Sequence, residues 1–238
     1  MESYNVLTSM PYMTKVQKSE ENTFLFMSSD ITHEPVLLQT PDYTPSSKVD
    51  NTVFDSQNKD RFILNDRELK VETPLQMSHY QTNMTTFIQI GNWLDDLRSK
   101  GVYDNTRIIL VSDHGRYLKH FDDMILDDGS DLMYNTEMYY PLLMVKDFNS
   151  KTFTTSDEFM TNADVPTIAT KGLIENPINP FTGKVINDNE KYTHDQYIIM
   201  SPLFNVSTNN GNVYKASQWA SVSKDIRVKD NWKFNRKT

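Results

Sequence analysis

An aspartate, a histidine and a glycine, Asp113-His114-Gly115, follow the apolar run Ile108-Ile109-Leu110-Val111 with only Ser112 between. A carboxylate oxygen beside an imidazole nitrogen is a donor pair for a divalent cation, and manganese, zinc, magnesium and calcium all accept such ligands. The same dipeptide also occurs as the start of a turn followed by an ordinary surface histidine. A second apolar run, Thr23-Phe24-Leu25-Phe26-Met27-Ser28-Ser29, leads into Asp30-Ile31-Thr32-His33-Glu34-Pro35. His33 therefore reads either as a satisfied loop histidine or as a group facing the same cleft as Asp113 and His114. His79 reads as structural, and His120 and His194 read as surface residues that no spacing ties to the pair.

Side chains of this kind need rigid elements to aim them. Ile108 to Val111 are too few and too continuously apolar for a surface helix, and they predict a fully buried strand of a parallel sheet. Ligands gather beyond the carboxyl ends of such strands, and Gly115 lets the backbone turn sharply there. Residues 23–29 predict a second buried strand. Residues 74–100 predict a helix. Thr73 caps it, Pro74 takes its first position, and Met77, Tyr80, Met84, Phe87, Ile88, Trp93, Leu94 and Leu97 lie at helical spacing. Arg98 and Lys100 suit its last turn and Gly101 its end. Helix, connector and buried strand make half of a βαβ unit.

Further along, residues 139–145 predict a strand. Residues 159–172 predict a helix with Asp164 near its start and Pro166 in its first turn. Residues 197–200 predict a short strand, and residues 213–219 and 226–234 an antiparallel ribbon. Val6, Leu7, Met10 and Met13 offer a short helical face, but Pro11 is expected to break it. Residues 36–72 read as a long loop with an edge strand at Phe62-Ile63-Leu64. Asp122, Asp123, Asp127, Asp128 and Asp131 read as a solvated acidic loop, because the spacing of an EF-hand calcium loop is not met. Residues 209–212 read as a turn.

Composition narrows the classes. At 238 residues the chain is one large domain or two small ones. Charged residues at 24% and hydrophobic residues at 37% describe a globular chain rather than a disordered one. A net charge of -8 argues against a nucleic-acid partner, which requires a basic surface. It leaves an anionic substrate open, since a bound cation can invert the local field. Without cysteine, disulfides and thiolate metal sites are excluded. No run approaches the roughly 18 apolar residues of a membrane span.

Four stretches in order resemble the alkaline phosphatase/sulfatase superfamily. "THEP" (32–35) is similar to its histidine loop, and "NTRIILVSDHG" (105–115) to its metal-binding strand end. "YNTEMYYPLLMVKDF" (134–148) is similar to the segment that returns to the sheet, and "NADVPTIATKGL" (162–173) to its Asp-x-x-Pro-Thr helix, though only Val165 separates Asp164 from Pro166 here. The look is that of the membrane-bound branch, with its lipoteichoic acid synthases, phosphoethanolamine transferases and sulfatase-like relatives. This resemblance implies an α/β fold: a three-layer αβα, mainly parallel sheet, with a small antiparallel ribbon near the C-terminus.

It also implies that Asp113 and His114 are two ligands of a divalent metal. His33 would be catalytic, holding the transferred group or giving a proton to the leaving oxygen. Arg116 could add positive charge near a substrate oxygen. The substrate would be an anionic ester, a phospholipid headgroup or a sulfated glycan, at the extracytoplasmic face of a membrane. The family's nucleophile (Thr, Ser or a formylglycine-forming Cys) follows its first strand, and nothing before residue 23 matches that arrangement. The expectation is therefore that residues 1–238 are the C-terminal portion of a sulfatase-like catalytic domain. They would be inactive alone, with the nucleophile, the other ligands and the membrane spans upstream. The alternative is a non-catalytic module that binds or scaffolds in the cell envelope.

Overall fold

A computed structural model describes residues 2–33, 36–126, 134–200, 214–215 and 218–234. The chain divides into two compact units, Met1–Thr106 and Arg107–Thr238. Asp127, Asp128, Asp131 and the 209–212 turn lie outside the described residues.

The first unit contains α1 (Glu2–Met13), α2 (Thr52–Gln57), the strands β1 (Ile63–Leu64) and β2 (Arg67–Glu68), and the long helix α3 (Pro74–Ser99). The expected start of α3 is present in detail. The Thr73 hydroxyl accepts from the Gln76 amide at 3.2 Å, and the Gln76 side chain accepts from the Thr73 amide at 2.9 Å. This reciprocal box satisfies two of the helix's orphan donors. Gly101, at φ 70°, takes the left-handed position after the last turn.

Pro11 does not break α1, contrary to expectation. It sits two residues from the helix end, where its missing N–H removes one hydrogen bond only. Its carbonyl accepts instead from the Lys100 ammonium at 2.9 Å, which also reaches the Thr14 carbonyl at 3.0 Å. Trp93 donates to the Thr14 hydroxyl at 2.9 Å, so α1 is tied to the C-terminal half of α3.

The buried face of α3 is polar rather than apolar. Gln76, Ser78, His79, Gln81, Thr82, Thr85 and Gln89 are buried along with Leu97, while Phe87 is exposed. Part of the cause is the loop that follows residue 36. Its irregular backbone needs partners, and Gln81 Oε1 accepts from the Leu38 amide at 2.7 Å. Asn51 completes the fastening by accepting from the Thr40 amide and hydroxyl, each at 2.9 Å, and donating to the Leu38 carbonyl at 2.8 Å. The short β1–β2 hairpin turns through Asn65 and Asp66, both at positive φ, as a two-residue turn of this twist requires.

Residues 23–29 are not a strand. Phe24, Leu25 and Phe26 are 79%, 69% and 79% exposed. Their side chains suit a pleat, but a strand exists only where a neighbour completes its hydrogen bonds, and no described residue pairs with them.

The second unit contains β3 (Ile108–Val111), β4 (Leu143–Lys146), α4 (Val165–Thr170) and a sheet of β5 (Gln196–Ile199), β6 (Trp219–Val222) and β7 (Trp232–Phe234) in the order β5-β6-β7. The mainly parallel sheet is not found: every strand pair among the described residues is antiparallel. β3 pairs with β4 in the register Ile108↔Lys146 to Val111↔Leu143. A parallel return needs a crossover that carries the chain back to the starting end. The described part of the 112–142 connection contains only short turns, so the chain comes back in the opposite direction. β3 is also only partly buried, with Ile108 inside and Val111 42% exposed.

α4 is shorter than predicted, because residues 162–164 form a 3-10 turn before it. An antiparallel ribbon is present near the C-terminus, but not within the expected bounds: β6 begins only at Trp219 and β7 only at Trp232, residues 213, 216 and 217 lie outside the described residues, and β5 adds a third strand. Its core joins Met200, Ala220, Val222 and Trp232, with Tyr139, Phe159 and Phe234 packed against them. Trp232 donates its indole N–H to the Ile226 carbonyl at 2.7 Å, so its polar edge is satisfied inside.

One buried charge pair fixes the turn before α4. Lys191 Nζ lies 3.2 Å from Asp164 Oδ2, and both side chains are 4% exposed. The same carboxylate accepts from the Thr161 amide at 2.6 Å. Lys191→Ala would leave a buried carboxylate without its counter-charge. The expected loss of unfolding free energy is about 3–5 kcal/mol, read from urea melts monitored by tryptophan fluorescence.

Candidate active site

The second unit holds β3 at both ends with residues 161–171. At the start of the strand, Arg107 donates to Asp147 at 2.9 Å and to the carbonyls of Ile168, Ala169 and Lys171 at 2.8, 3.2 and 2.7 Å. A guanidinium at a helix C-terminus meets carbonyls that have no partner within the helix. Its plane also lies over Phe148, 4.6 Å from the ring centre. At the far end of the strand, Asn162 donates to the carbonyls of Ser112 and Asp113, each at 3.1 Å.

Beyond Ser112 the two candidate ligands stand together. Asp113 Oδ1 accepts from the His114 amide at 2.9 Å. His114 Nδ1 is 2.6 Å from the Gly115 carbonyl. A carbonyl can only accept, so in the neutral ring Nδ1 carries the proton and Nε2 presents a lone pair, which is the form a metal requires. His114 Nε2 and Asp113 Oδ2 are 3.6 Å apart, with the side chains 48% and 86% exposed. Two donors each about 2.1 Å from a tetrahedral ion would stand about 3.4 Å apart. The pair therefore fits two positions of a divalent-cation shell. Among the described residues no group of three or more His, Cys, Asp or Glu gathers, so the pair is not a closed four-ligand site.

The loop after the pair is fastened from below. Ser112 donates to the Leu142 carbonyl at 3.1 Å and Gly115 to the Met138 carbonyl at 2.8 Å. Glu137, almost buried, accepts from the Phe121 amide at 2.7 Å and the Leu118 amide at 3.2 Å. Asn135 and Thr136 beside it are 1% exposed, and Thr136 donates to the Met124 carbonyl at 2.9 Å. Gly115 is needed for close approach rather than for a sharp turn, since a Cβ there would be driven into the Glu137 carbonyl oxygen.

His33 lies in the first unit, in an exposed turn closed by its amide donating to the Asp30 carbonyl at 3.0 Å. Arg116 lies with its guanidinium 5.5 Å from the Tyr117 ring centre. His79 is buried in α3, as expected of a structural residue. His194 is exposed and lines a shallow cleft with Lys191, Tyr192, Asp195, Ser223 and Lys224. Glu137 and Asn162 went unremarked in the sequence. Both lie inside the family-like stretches, but a lone buried or bridging polar residue leaves no periodic signal.

The sulfatase family model matches residues 7–170, 164 of the 238 residues. The chain belongs to the sulfatase family. That family lies within the alkaline phosphatase superfamily and its members generally use a divalent metal ion. The match carries an α/β fold with it. No curated protein and no solved structure matches the chain.

Two outcomes test this geometry. Gly115→Ala forces the loop away from Glu137 and is expected to cost about 1–3 kcal/mol, measured by urea unfolding. Asp147 is held below the usual carboxylate range, first by the Arg107 hydrogen bond and then by the Phe148 amide. Its contribution to stability is therefore complete above its unfolded pKa of about 3.9 and is lost as pH falls through the lower folded value. In Arg107→Ala the acid-side fall of the unfolding midpoint should be shallower than in the wild type, apart from the general destabilisation.

Proposed function

We propose that this chain is part of a metal-dependent sulfatase-like hydrolase or transferase, acting on sulfate esters or phosphodiesters of cell-envelope lipids or glycans. The observation that carries the proposal is the Asp113–His114 pair at the end of β3, with its Nε2 lone pair and carboxylate oxygen 3.6 Å apart. In this reading the two residues hold a divalent ion, which when bound polarises a sulfuryl or phosphoryl oxygen. The Gly115 carbonyl keeps the His114 ring in its ligand tautomer. Asp113 presents Oδ2 while Oδ1 is engaged by the His114 amide. His33 holds the transferred group or gives a proton to the leaving oxygen.

The nucleophile and the remaining ligands belong to a preceding part of the same catalytic domain, of which residues 1–238 form the C-terminal portion. Supporting this is the exposure of Phe24, Leu25 and Phe26, an apolar, strand-like run. Large apolar side chains in series stay out of water only against a matching surface. Within the membrane-bound branch, likened here to lipoteichoic acid synthases and phosphoethanolamine transferases, that preceding part would also carry membrane spans. The site would then face outside the cytoplasm. No helix of the described residues is long and apolar enough to cross a membrane.

The test compares the 238-residue chain with the longer polypeptide, both assayed with manganese on an aryl sulfate and an aryl phosphodiester. The chain alone should be inactive. The longer protein should hydrolyse one ester class and lose at least about 100-fold of that rate in Asp113→Ala or His114→Ala. Full activity in either variant would overturn the ligand assignment. Activity of the chain alone, abolished by Asp113→Ala, would overturn the partial-domain reading. Inactivity of the longer protein on both esters would leave the non-catalytic envelope module.

A further inference from the structure

We propose that Asn162 is a positioning residue that aims the Asp113–His114 pair; the inference rests on the metal-ligand reading of that pair. β3 stops at Val111, and the last bond of its ladder with β4 runs from the Ser112 amide to the Leu142 carbonyl. The next backbone bond to the returning segment comes from Gly115. Asp113 and His114 occupy the interval, and both side chains are substantially exposed, so packing alone does not set their direction. Asn162 supplies the restraint from the side. Its amide Nδ2 donates to two consecutive carbonyls, Ser112 and Asp113, at 3.1 Å each. Fixing these two carbonyls restrains the two peptide planes that flank the Asp113 Cα, and with them the direction in which its Cα–Cβ bond leaves the chain.

The restraint is useful only if Asn162 is itself immobile, and the structure makes it so. It sits inside the Thr161–Asp164 capping box. Asp164 is held by the buried Lys191. The far end of α4 is gripped by Arg107, the residue immediately before β3. Residues 161–171 thus form a brace fastened at both ends of the strand that carries the pair. Only a side-chain amide offers two protons from one nitrogen in a fixed plane at this reach. Serine brings one proton, and alanine and aspartate bring none. Groups that orient metal ligands without touching the metal act in this way, and their loss weakens metal binding about 10–100-fold.

The experiment is Asn162→Ala with two readouts, hydrogen exchange in the 238-residue chain and metal affinity in the longer polypeptide. Amide hydrogen exchange followed by mass spectrometry should show peptides covering Ser112 to Gly115 exchanging at least about 10-fold faster, while β5, β6 and β7 keep their wild-type protection. Manganese affinity of the longer polypeptide, by calorimetry with the metal alone, should fall about 10–100-fold with the metal-free melting temperature nearly unchanged. Unchanged exchange at Ser112 to Gly115, a uniform rise across the whole unit, or unchanged manganese affinity beside a wild type that binds would each overturn the proposal. If the wild-type longer polypeptide binds no manganese, the metal reading fails, and the exchange result in the 238-residue chain alone decides whether Asn162 positions the pair.

Discussion

The second unit depends on an ammonium and a carboxylate that are both shut away from water. Lys191 and Asp164 lie 3.2 Å apart with 4% of each side chain exposed. Each ion alone would be prohibitive to bury, and together they are tolerable only because the remaining acceptor capacity is also used. Asp164 spends that capacity on the Thr161 amide and hydroxyl. The result is a turn with one geometry, since any other would strand a charge. α4 begins from that turn, and Asn162 within it reaches the end of β3. A charge pair far from any chemistry in sequence therefore sets the frame for the Asp-His pair.

Around the strand end the same principle recurs with neutral donors. Residues 115–124 form little regular structure, so their amides and carbonyls must find partners one by one. Glu137 takes two of these amides and Thr136 takes one carbonyl. Gly115 lets the two segments come close enough for the Gly115–Met138 bond to form. Side chains buried for their hydrogen bonds, rather than for their apolar area, hold this loop. That explains why Asn135 and Thr136 rank among the most deeply buried side chains of the described residues. The first unit follows a related logic, with Gln81 of α3 and Asn51 answering the backbone of the loop that begins at residue 36.

The apolar run at residues 23–29 shows the limit of side-chain chemistry as a guide. Its residues are those of a buried strand, yet Phe24 to Phe26 lie open to water. Strand propensity expresses how well a side chain fits a pleated, half-buried surface. Without a neighbouring strand there is no such surface. Among the described residues no strand pairs with this run.

Many local signals were legible in the sequence, though Pro11 does not end α1 and α4 begins later than expected. Thr73, Pro74 and Gly101 mark the ends of α3, because caps act within one turn of chain. The Asp-His pair at the end of an apolar strand and the four ordered stretches led to the family, because chemistry at a strand end constrains residue types tightly. The strand at 108–111 was likewise readable from an apolar run bounded by turns, and so was the presence of a C-terminal ribbon, though not its strand bounds. Strand direction, burial and bracing were not. β3 runs antiparallel to β4, and no residue in β3 records that. The polar face of α3 was set by the loop it serves. The roles of Glu137, Asn162 and Lys191 exist only once distant segments meet, since a hydrogen bond or ion pair across many residues has no period to read. The sequence by itself determined which residues could do chemistry, and the tertiary structure alone decided which side chains hold them in place.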